Sequence, residues 1–383
     1  ATAILHRADI PTSRLDPRSW TYGIPSDAQN RTSIARFNLQ VSNTLSTEDR
    51  LSLDAPQVDV INGSVFDWWY FDAVSDTNSR ESLVVTFFTS SAVAFPFLDA
   101  TESSIFIAYL WASFTNGSTF AAFVPATVAT VSGRHGARTP SSGQWASTGF
   151  SWTAPKEDLS QYEVRIASGK MQVEGRFTST AHVPPQLPCG IHPGRNSLEV
   201  APHIGWVNLI PDAMGVVIMT IRGSSLQFRG PAYHDKNCYL VLDDPTSTTY
   251  ISSYVAKDGK VLVSSCKPSL LTVRPVGKPW TTGERYPPRV VDMPDKFRLE
   301  FDLGQANEWL RINVSMETLV AGDNEYYMRW TGALTGEIVR LESESSQEAG
   351  AVTRVRDHVG AGSATKNFSL AGVAVLEPFA MVP

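Results

Sequence analysis

The chain has 383 residues, of which 42% are hydrophobic and 18% charged, so it can bury large cores and is not disordered. This length favours two domains over one, and no apolar run approaches the roughly 18–20 residues of a membrane-spanning helix. Its 32 basic and 38 acidic residues give a net charge of −6 without a basic block, which argues against nucleic acid or an anionic membrane surface as a partner.

The predicted elements of the N-terminal part are an irregular arm followed by an antiparallel sheet. Residues 1–50 are polar and predict an arm with one short strand near 34–41. Runs that alternate apolar and polar residues then predict strands. These strands are 66–74, 82–89, 104–114, 118–123, 127–132, 149–153, 161–167, 171–179, 205–210, 214–221 and 224–228. Tight turns are expected at Asn116-Gly117, Asp212-Ala213 and Arg222-Gly223.

A second series of strands follows Cys238. Within the first series, between 171–179 and 205–210, the segment 183–195 contains four prolines, which predicts a long irregular loop of the kind that often binds ligands. The second series is 239–243, 249–255, 261–265, 270–275, 298–302, 309–315, 325–331, 336–342 and 370–377. Such a count is typical of a closed up-and-down barrel. The chain is therefore predicted to be all-β, with an N-terminal domain at 1–238 and a C-terminal lipocalin-like barrel at 239–383.

The most unusual run is DWWYFDA at 67–73, where four aromatic residues stand between two carboxylates. Successive side chains of a strand point to opposite faces, so Asp67 and Trp69 share one face and Trp68 and Tyr70 share the other. Both faces are largely apolar, which predicts a strand covered on both sides. At this point the run fits a binding wall and a plain core strand equally well.

A second polar cluster, YHDKN, occupies 233–237. Extended geometry places His234 and Lys236 on one side and Asp235 and Asn237 on the other. These groups can be buried only when they are paired. Two interpretations are open: a polar latch between the two domains, or a set of hydrogen-bond donors that faces a substrate carbonyl.

Together the two segments resemble a superfamily of carotenoid hydratases, AttH-like lipocalin proteins and fungal Diels–Alderases. The later landmarks YVAKDGK at 254–260, SSC at 264–266 and VRP at 273–275 extend the resemblance over roughly residues 50–330. The segments DAP at 54–56 and GWVN at 205–208 are most similar to the fungal branch. The chain departs from its relatives at Cys238, where they usually carry Trp, and at Ala232, where they usually carry Gly. The resemblance implies two linked lipocalin-like domains, with a ligand between them or in one barrel mouth.

The sequence contains no Gly-x-Ser-x-Gly, no glycine-rich phosphate loop and no Gly-x-Gly-x-x-Gly after a strand, which argues against a serine hydrolase, a kinase or an oxidoreductase; His-Glu-x-x-His is also missing. A pericyclic reaction needs no nucleophile, because fixing a flexible substrate and donating a hydrogen bond can lower its barrier. The resemblance implies a stereoselective [4+2] cycloaddition in fungal secondary metabolism, without cofactor or metal. This would be a hetero-Diels–Alder reaction of a tropolone quinone methide with a sesquiterpene, or decalin formation from a polyene. The alternatives are a polyene hydratase or isomerase and a non-catalytic carrier of a hydrophobic small molecule.

The candidate site residues come from these two segments and from nearby strands. The residues expected to act on the reacting atoms are Tyr70, Thr86, Asn237 and Asp235. The residues expected to shape the substrate cavity are Trp68, Phe88, Trp206, Tyr233, His234 and Trp330.

Five Asn-x-Ser/Thr sequons are more than chance predicts and favour glycosylation and a secretory route; they start at Asn30, Asn62, Asn116, Asn313 and Asn367. The start at Ala1 fits a removed signal peptide or a trimmed chain, and a cytoplasmic location is the other interpretation. Three cysteines permit a disulfide between Cys189 and Cys238 or between Cys238 and Cys266, or three reduced thiols.

Overall fold

The computed structural model describes residues 19–24, 53–57, 66–90, 105–134, 140–180, 185, 198–201, 204–239, 254–256, 271–276, 295–303, 308–322, 328–340 and 369–376. These residues form nineteen β-strands in two antiparallel sheets, which confirms the predicted all-β class. None of their helices is long and apolar enough to cross a membrane.

The first sheet contains thirteen of the described strands. They are β1 (Ser19–Ile24), β2 (Phe66–Val74), β3 (Ser82–Ser90), β4 (Phe106–Ser113), β5 (Thr119–Pro125), β6 (Ala129–Arg134), β7 (Ser141–Trp145), β8 (Phe150–Ala154), β9 (Gln161–Ser168), β10 (Met171–Ser179), β11 (Glu199–Ala201), β12 (Ile204–Ile221) and β13 (Ser224–Tyr239). Their order across the sheet is β1-β6-β7-β8-β9-β10-β12-β13-β2-β3-β4-β5, and β11 pairs with β12.

This sheet curls into a half-barrel around an aromatic core. In β9 and β10 every second residue is buried, so one face packs on the core while the other meets solvent. In β2, β3 and β4 every residue is buried, as predicted for β2. The concave face gathers the indoles of Trp69, Trp145 and Trp152. The core therefore lies inside the curl, with β2 as one of its walls.

Strands β7 and β1 were missed by the sequence analysis. The β7 sequence, SSGQW, is poor in β-branched residues. A Cβ at Gly143 would lie 2.1 Å from the indole nitrogen of Trp152, so the glycine makes room for that ring. β1 lies in the predicted N-terminal arm, and it pairs with β6 from Ser19↔Arg134 to Ile24↔Ala129. Its sequence, SWTYGI, alternates apolar with small or polar residues, so a local strand pattern was present there and was overlooked.

Strand β12 corrects the prediction of two strands joined by a turn at Asp212-Ala213. It runs unbroken through that point, and its ladder with β13 has irregularities between Asn208 and Ile210 and between Ile210 and Ala213. Bulges insert extra residues without ending a strand, and they mimic turn chemistry in the sequence. The Arg222-Gly223 turn is confirmed, with positive φ angles of 51° and 89°.

The second sheet contains six described strands. They are β14 (Tyr254–Ala256), β15 (Leu271–Pro275), β16 (Lys296–Asp302), β17 (Glu308–Gly322), β18 (Met328–Arg340) and β19 (Ser369–Leu376), in the order β14-β19-β18-β17-β16-β15. The predicted break between 325–331 and 336–342 is wrong, because β18 is continuous. A Cβ at Gly332 would lie 1.9 Å from the carbonyl oxygen of Ser315, so this glycine marks close approach to the irregular β17 rather than a turn.

By its internal contacts the chain divides into two compact units. The first comprises 1–73, 83–110 and 121–243, and the second comprises 74–82, 111–120 and 244–383. The boundary at 238/239 and the closure of the second barrel stay predictions. The predicted strands at 34–41 and 261–265, the loop at 183–195 apart from residue 185, and most of 239–243 lie outside the described residues.

Candidate active site

Strand β2 separates two sets of side chains in the first unit, and β13 pairs with it. The register places Tyr70 opposite Asp235 and Phe71 opposite His234. Directly paired residues of an antiparallel ladder point to the same face. The alternation expected from the sequence is therefore present in both strands, and each face of β2 has its own polar groups.

One face carries a hydrogen-bonded group of two tyrosines, two aspartates, a tryptophan and an asparagine, which we call the tyrosine face: Tyr70, Asp72, Trp206, Asn208, Tyr233 and Asp235. The Tyr70 hydroxyl donates to Asp72 at 2.9 Å. The Tyr233 hydroxyl lies 2.8 Å from Asp235 Oδ2 and also contacts Asn208 Oδ1. The two tyrosine rings are 6.3 Å apart between centroids.

Trp206 completes this network from β12. Its indole N–H donates to Asp235 Oδ2 at 2.9 Å. The register opposes Asn208 to Asp235, and the Asn208 side chain contacts the Tyr233 hydroxyl that is itself bonded to Asp235. Asp72 and Asn208 were not among the predicted site residues, although each lies inside a segment (67–73 and 205–208) that the sequence singled out.

The Tyr233 hydroxyl has two contacts but only one proton. A hydroxyl has one proton, so Tyr233 can donate to only one of its two contacts. Either Asn208 turns its amide nitrogen towards the phenol oxygen, or Asp235 carries a proton and donates it. In both arrangements a hydrogen bond joins Tyr233 to Asp235 on a face that also holds apolar rings.

Aromatic rings extend the tyrosine face across the neighbouring strands. Trp68 stacks on Phe66 at 4.6 Å and meets Phe88 of β3 edge-on at 5.6 Å. Phe88 in turn meets Tyr109 of β4 at 6.2 Å. Thr86 is buried and lies two residues before Phe88 on β3, hence on the same face. These predicted residues therefore come together beside the tyrosines.

Two of the predicted site residues do not belong to the tyrosine face, and for a third only the backbone is described. His234 points to the opposite face of the sheet, into the core. Asn237 pairs with Trp68 and Trp206 in the ladders, and its side chain lies outside the described part. Trp330 belongs to the second unit, where it packs against the core cluster around Leu310 and Ile312.

The concave face holds a second, fully buried polar group. Lys236 forms an ion pair with Asp67, and the two side chains are 1% and 0% exposed. The ammonium also lies 4.6 Å from the Trp69 ring centroid. The backbone N–H of Gln57 donates to the other Asp67 oxygen at 2.7 Å. Lys236 thus joins β13 to β2, and Asp67 of β2 in turn bonds the segment 53–57 within the first unit.

Asp54 is the residue of this group that the sequence analysis did not identify as functional. Its backbone carbonyl accepts from the Trp69 indole at 3.0 Å, and both carboxylate oxygens lie 2.9 Å from the Tyr162 hydroxyl. Burial raises the pKa of Asp54 to about 7, although hydroxyl contacts from Ser141 and Tyr162 and the charge of Lys236 lower it. Burial also raises the pKa of Asp67, against the charge and hydrogen bond of Lys236.

Replacing Asp54 with asparagine is expected to change how stability depends on pH. The folded pKa of about 7 exceeds the ordinary value of 3.8, so Asp54 makes the folded state less stable as pH rises from about 4 to 7. Over this interval the contribution of Asp54 lowers the free energy of unfolding by about 4 kcal/mol. The asparagine variant should gain stability relative to the unmodified protein between pH 4.5 and 8, as measured by urea unfolding.

His234 changes the pH dependence of stability in the opposite direction. The quantity to compare is therefore the difference in free energy of unfolding between the asparagine variant and its parent at each pH. Burial lowers the pKa of His234 to about 3, against the hydrogen bond with Tyr70. This depressed pKa makes the folded state more stable as pH rises through about 3 to 6.5. A pH-independent difference between the asparagine variant and its parent would contradict the assignment of Asp54.

Two of the five sequons lie in the described part of the chain. Asn116 is exposed in the β4–β5 connection, where its side chain accepts from the Ser118 N–H at 2.9 Å and Gly117 has a φ of 80°, as the predicted turn requires. Asn313 is exposed on β17. The sequons at Asn30, Asn62 and Asn367, and the thiols of all three cysteines, lie outside the described side chains, so glycosylation and disulfide pairing stay predictions. Among the described residues, no three His, Cys, Asp or Glu side chains cluster as metal ligands.

Curated proteins and solved structures similar to this chain match most of its length. Two curated relatives are 28% identical: the quinolone epoxide rearrangement protein asqO of Emericella nidulans over 323 residues, and its namesake penF of Penicillium thymicola over 337. The matches cover 76% and 78% of this chain and 84% and 89% of those proteins.

Among solved structures, the crystal structure of CghA with Sch210972 matches 94% of this chain and 99% of its own, at a TM-score of 0.62 and 14% identity. This likeness concerns the fold and confirms the predicted lipocalin-like architecture. The family model described as Diels-Alderase-like matches residues 35–239, which include both strands of the tyrosine face. The chain therefore belongs to the Diels-Alderase-like family.

Proposed function

We propose that this protein is a pericyclase of fungal secondary metabolism that catalyses a stereoselective [4+2] cycloaddition against the tyrosine face. The observation that carries the proposal is the network of Tyr70, Asp72, Tyr233, Asp235 and Trp206 beside the rings of 66–88. The substrate is an apolar small molecule with at least one carbonyl or related oxygen. Membership of the Diels-Alderase-like family supports an enzyme of the cyclase type.

The aromatic rings and the hydroxyl groups of the face have different roles in this proposal. The rings of Trp68 and Phe88 hold the carbon skeleton in a folded shape, which supplies proximity and orientation. Tyr233 or Tyr70 donates a hydrogen bond to the oxygen of the dienophile, or to a tropolone quinone methide, as electron density moves onto it. Each hydroxyl has one proton, so in this proposal Asp235 and Asp72 hold the hydroxyls before substrate binds, and the substrate oxygen then replaces the aspartate as acceptor. No nucleophile is needed, because a concerted shift of π electrons forms both new bonds.

Rearrangement of an epoxide is the second candidate, and the names of the two curated relatives favour it. An epoxide opens when its oxygen receives a proton or a strong hydrogen bond, and the proton shared by Tyr233 and Asp235 meets that need. Electron-rich indoles such as Trp68 and Trp206 would stabilise the positive charge that develops on carbon. This reaction also conserves atoms, so the same face serves both candidates.

The test is to incubate the pure, chelator-treated protein without added cofactor and to separate the products on a chiral column. The probes are a linear polyene with a terminal dienophile, a tropolone quinone-methide precursor with a sesquiterpene, and a quinolone epoxide. An enantiomerically enriched cycloadduct above the background rate supports the first candidate, and an isomer of the epoxide supports the second. Racemic product at the background rate from every probe contradicts both, and tight binding without conversion indicates a carrier. Oxygen incorporated from labelled water indicates a hydratase.

A further inference from the structure

His234 lies between Tyr233 and Asp235 in β13, and its ring points to the opposite side of the sheet from theirs. The imidazole is fully buried. It stacks on the Phe71 ring with 3.8 Å between centroids and an interplanar angle of 7°, and it meets Tyr162 at 4.2 Å. Rings on two sides therefore hold it in one orientation.

The hydrogen bond of this ring reaches the backbone of the tyrosine face. His234 Nδ1 is 2.8 Å from the carbonyl oxygen of Tyr70. A carbonyl oxygen only accepts, so Nδ1 carries the proton and donates it. Burial keeps the ring neutral, with a pKa of about 3, and Nε2 finds no hydrogen-bond partner in the described part of the chain. An apolar residue of similar size could not supply this Nδ1 hydrogen bond.

On the side of His234 that faces β12, the ladder is irregular. His234 pairs with Ile210, and the β12 ladder is displaced both between Asn208 and Ile210 and between Ile210 and Ala213. Bulges re-aim side chains and weaken pairing where they occur. On the side of β2 the register is regular and opposes Asp235 to Tyr70. The position of β13 at this point is therefore set mainly by its pairing with β2, the strand to which His234 bonds.

We propose that His234 is a positioning residue of the tyrosine face. Its bond to the Tyr70 carbonyl holds β13 on β2 at the register that brings Tyr233 and Asp235 beside Tyr70. Its consequence for catalysis rests on the proposed function, whereas its consequence for the geometry of the face does not.

A matched pair of variants isolates the hydrogen bond. His234→Asn keeps an N–H donor at the place of Nδ1, and His234→Leu has the same number of side-chain heavy atoms without any donor. Both leave a similar cavity beside Phe71, so both lower the melting temperature. With a probe that the unmodified protein converts, we expect the Leu variant to lose roughly 10-fold in kcat, with little change in KM, and to lose stereochemical excess. The Asn variant should stay close to the unmodified protein in both quantities.

A measurement without substrate separates this inference from the proposed function. Fluorotyrosine incorporation gives ¹⁹F resonances for Tyr70 and Tyr233, which Tyr→Phe variants assign. Both resonances should move or broaden in His234→Leu and keep their positions in His234→Asn. If no probe is converted, the proposed function fails, and these spectra alone decide whether His234 positions the tyrosines. Should the Leu variant not fold, His234→Gln, whose donor is displaced by one bond, replaces it with the same expected losses. Equal spectra in both variants, or equal kcat and stereochemical excess, would overturn the positioning role.

Discussion

Replacing Lys236 with methionine is expected to reduce the free energy of unfolding by about 3–5 kcal/mol. The Lys236 ammonium is bonded to Asp67 and lies over the Trp69 ring, with both charged side chains fully buried. Removing it leaves the Asp67 carboxylate without its countercharge in the core. Urea unfolding followed by tryptophan fluorescence measures the loss.

The double variant Lys236→Met with Asp67→Asn is the matched control for this change. Asparagine is uncharged and keeps an oxygen that can accept from the Gln57 N–H. The double variant should recover at least half of the loss, because no buried charge remains uncompensated. If the single variant costs under about 1 kcal/mol, or the second substitution adds to the loss, the ion pair does not have this role.

Removing the Tyr233 hydroxyl is expected to have the largest effect on catalysis. In Tyr233→Phe the phenol no longer donates towards substrate, and kcat should fall roughly 10²-fold with little change in KM. The ring and its place beside Tyr70 are kept, so the melting temperature should change little. Steady-state kinetics on a probe that the unmodified protein converts provide the measurement.

Tyr162→Phe is the control, because it removes a buried tyrosine hydroxyl from the same unit on the other face of the sheet. That hydroxyl bonds Asp54 and does not reach the tyrosine face. We expect Tyr162→Phe to lower stability while kcat remains within about 2-fold of the parent, since its polar partner lies in the core. A similar loss of kcat in both phenylalanine variants would show that Tyr233 acts only through the packing of the unit.

The strands flanking the candidate site could be predicted because their signals are local. The alternation of 67–73 separates Trp68 and Tyr70 from Trp69 and Phe71, and the same rule separates Asp235 from His234. Tight turns at Asn116-Gly117 and Arg222-Gly223 follow from the few residues that tolerate positive φ. In contrast, Asp212-Ala213 has the composition of a turn and lies within a bulged strand.

His234 shows why residue type alone did not assign a role. Within the cluster YHDKN, the polar side chains of His234, Asp235 and Lys236 alternate between two environments. Phe71 and Tyr162 enclose the His234 ring, whereas Trp206 and Tyr233 bond Asp235. Membership of the cluster predicted interactions with substrate for both, but the pairing of β13 with β2 and β12 placed only one of them on the tyrosine face.

The sequence by itself determined the all-β class, most strand positions and which side chains of β2 and β13 share a face, because these depend on a two-residue period and on short turns. Only the tertiary structure decided what each face meets. Asp54 bonds Tyr162 across 108 residues, and Asp67 bonds Lys236 across 169. Such contacts depend on the order of the strands, their register and the curl of the sheet, which are set by the packing of the whole unit and leave no local pattern in the chain.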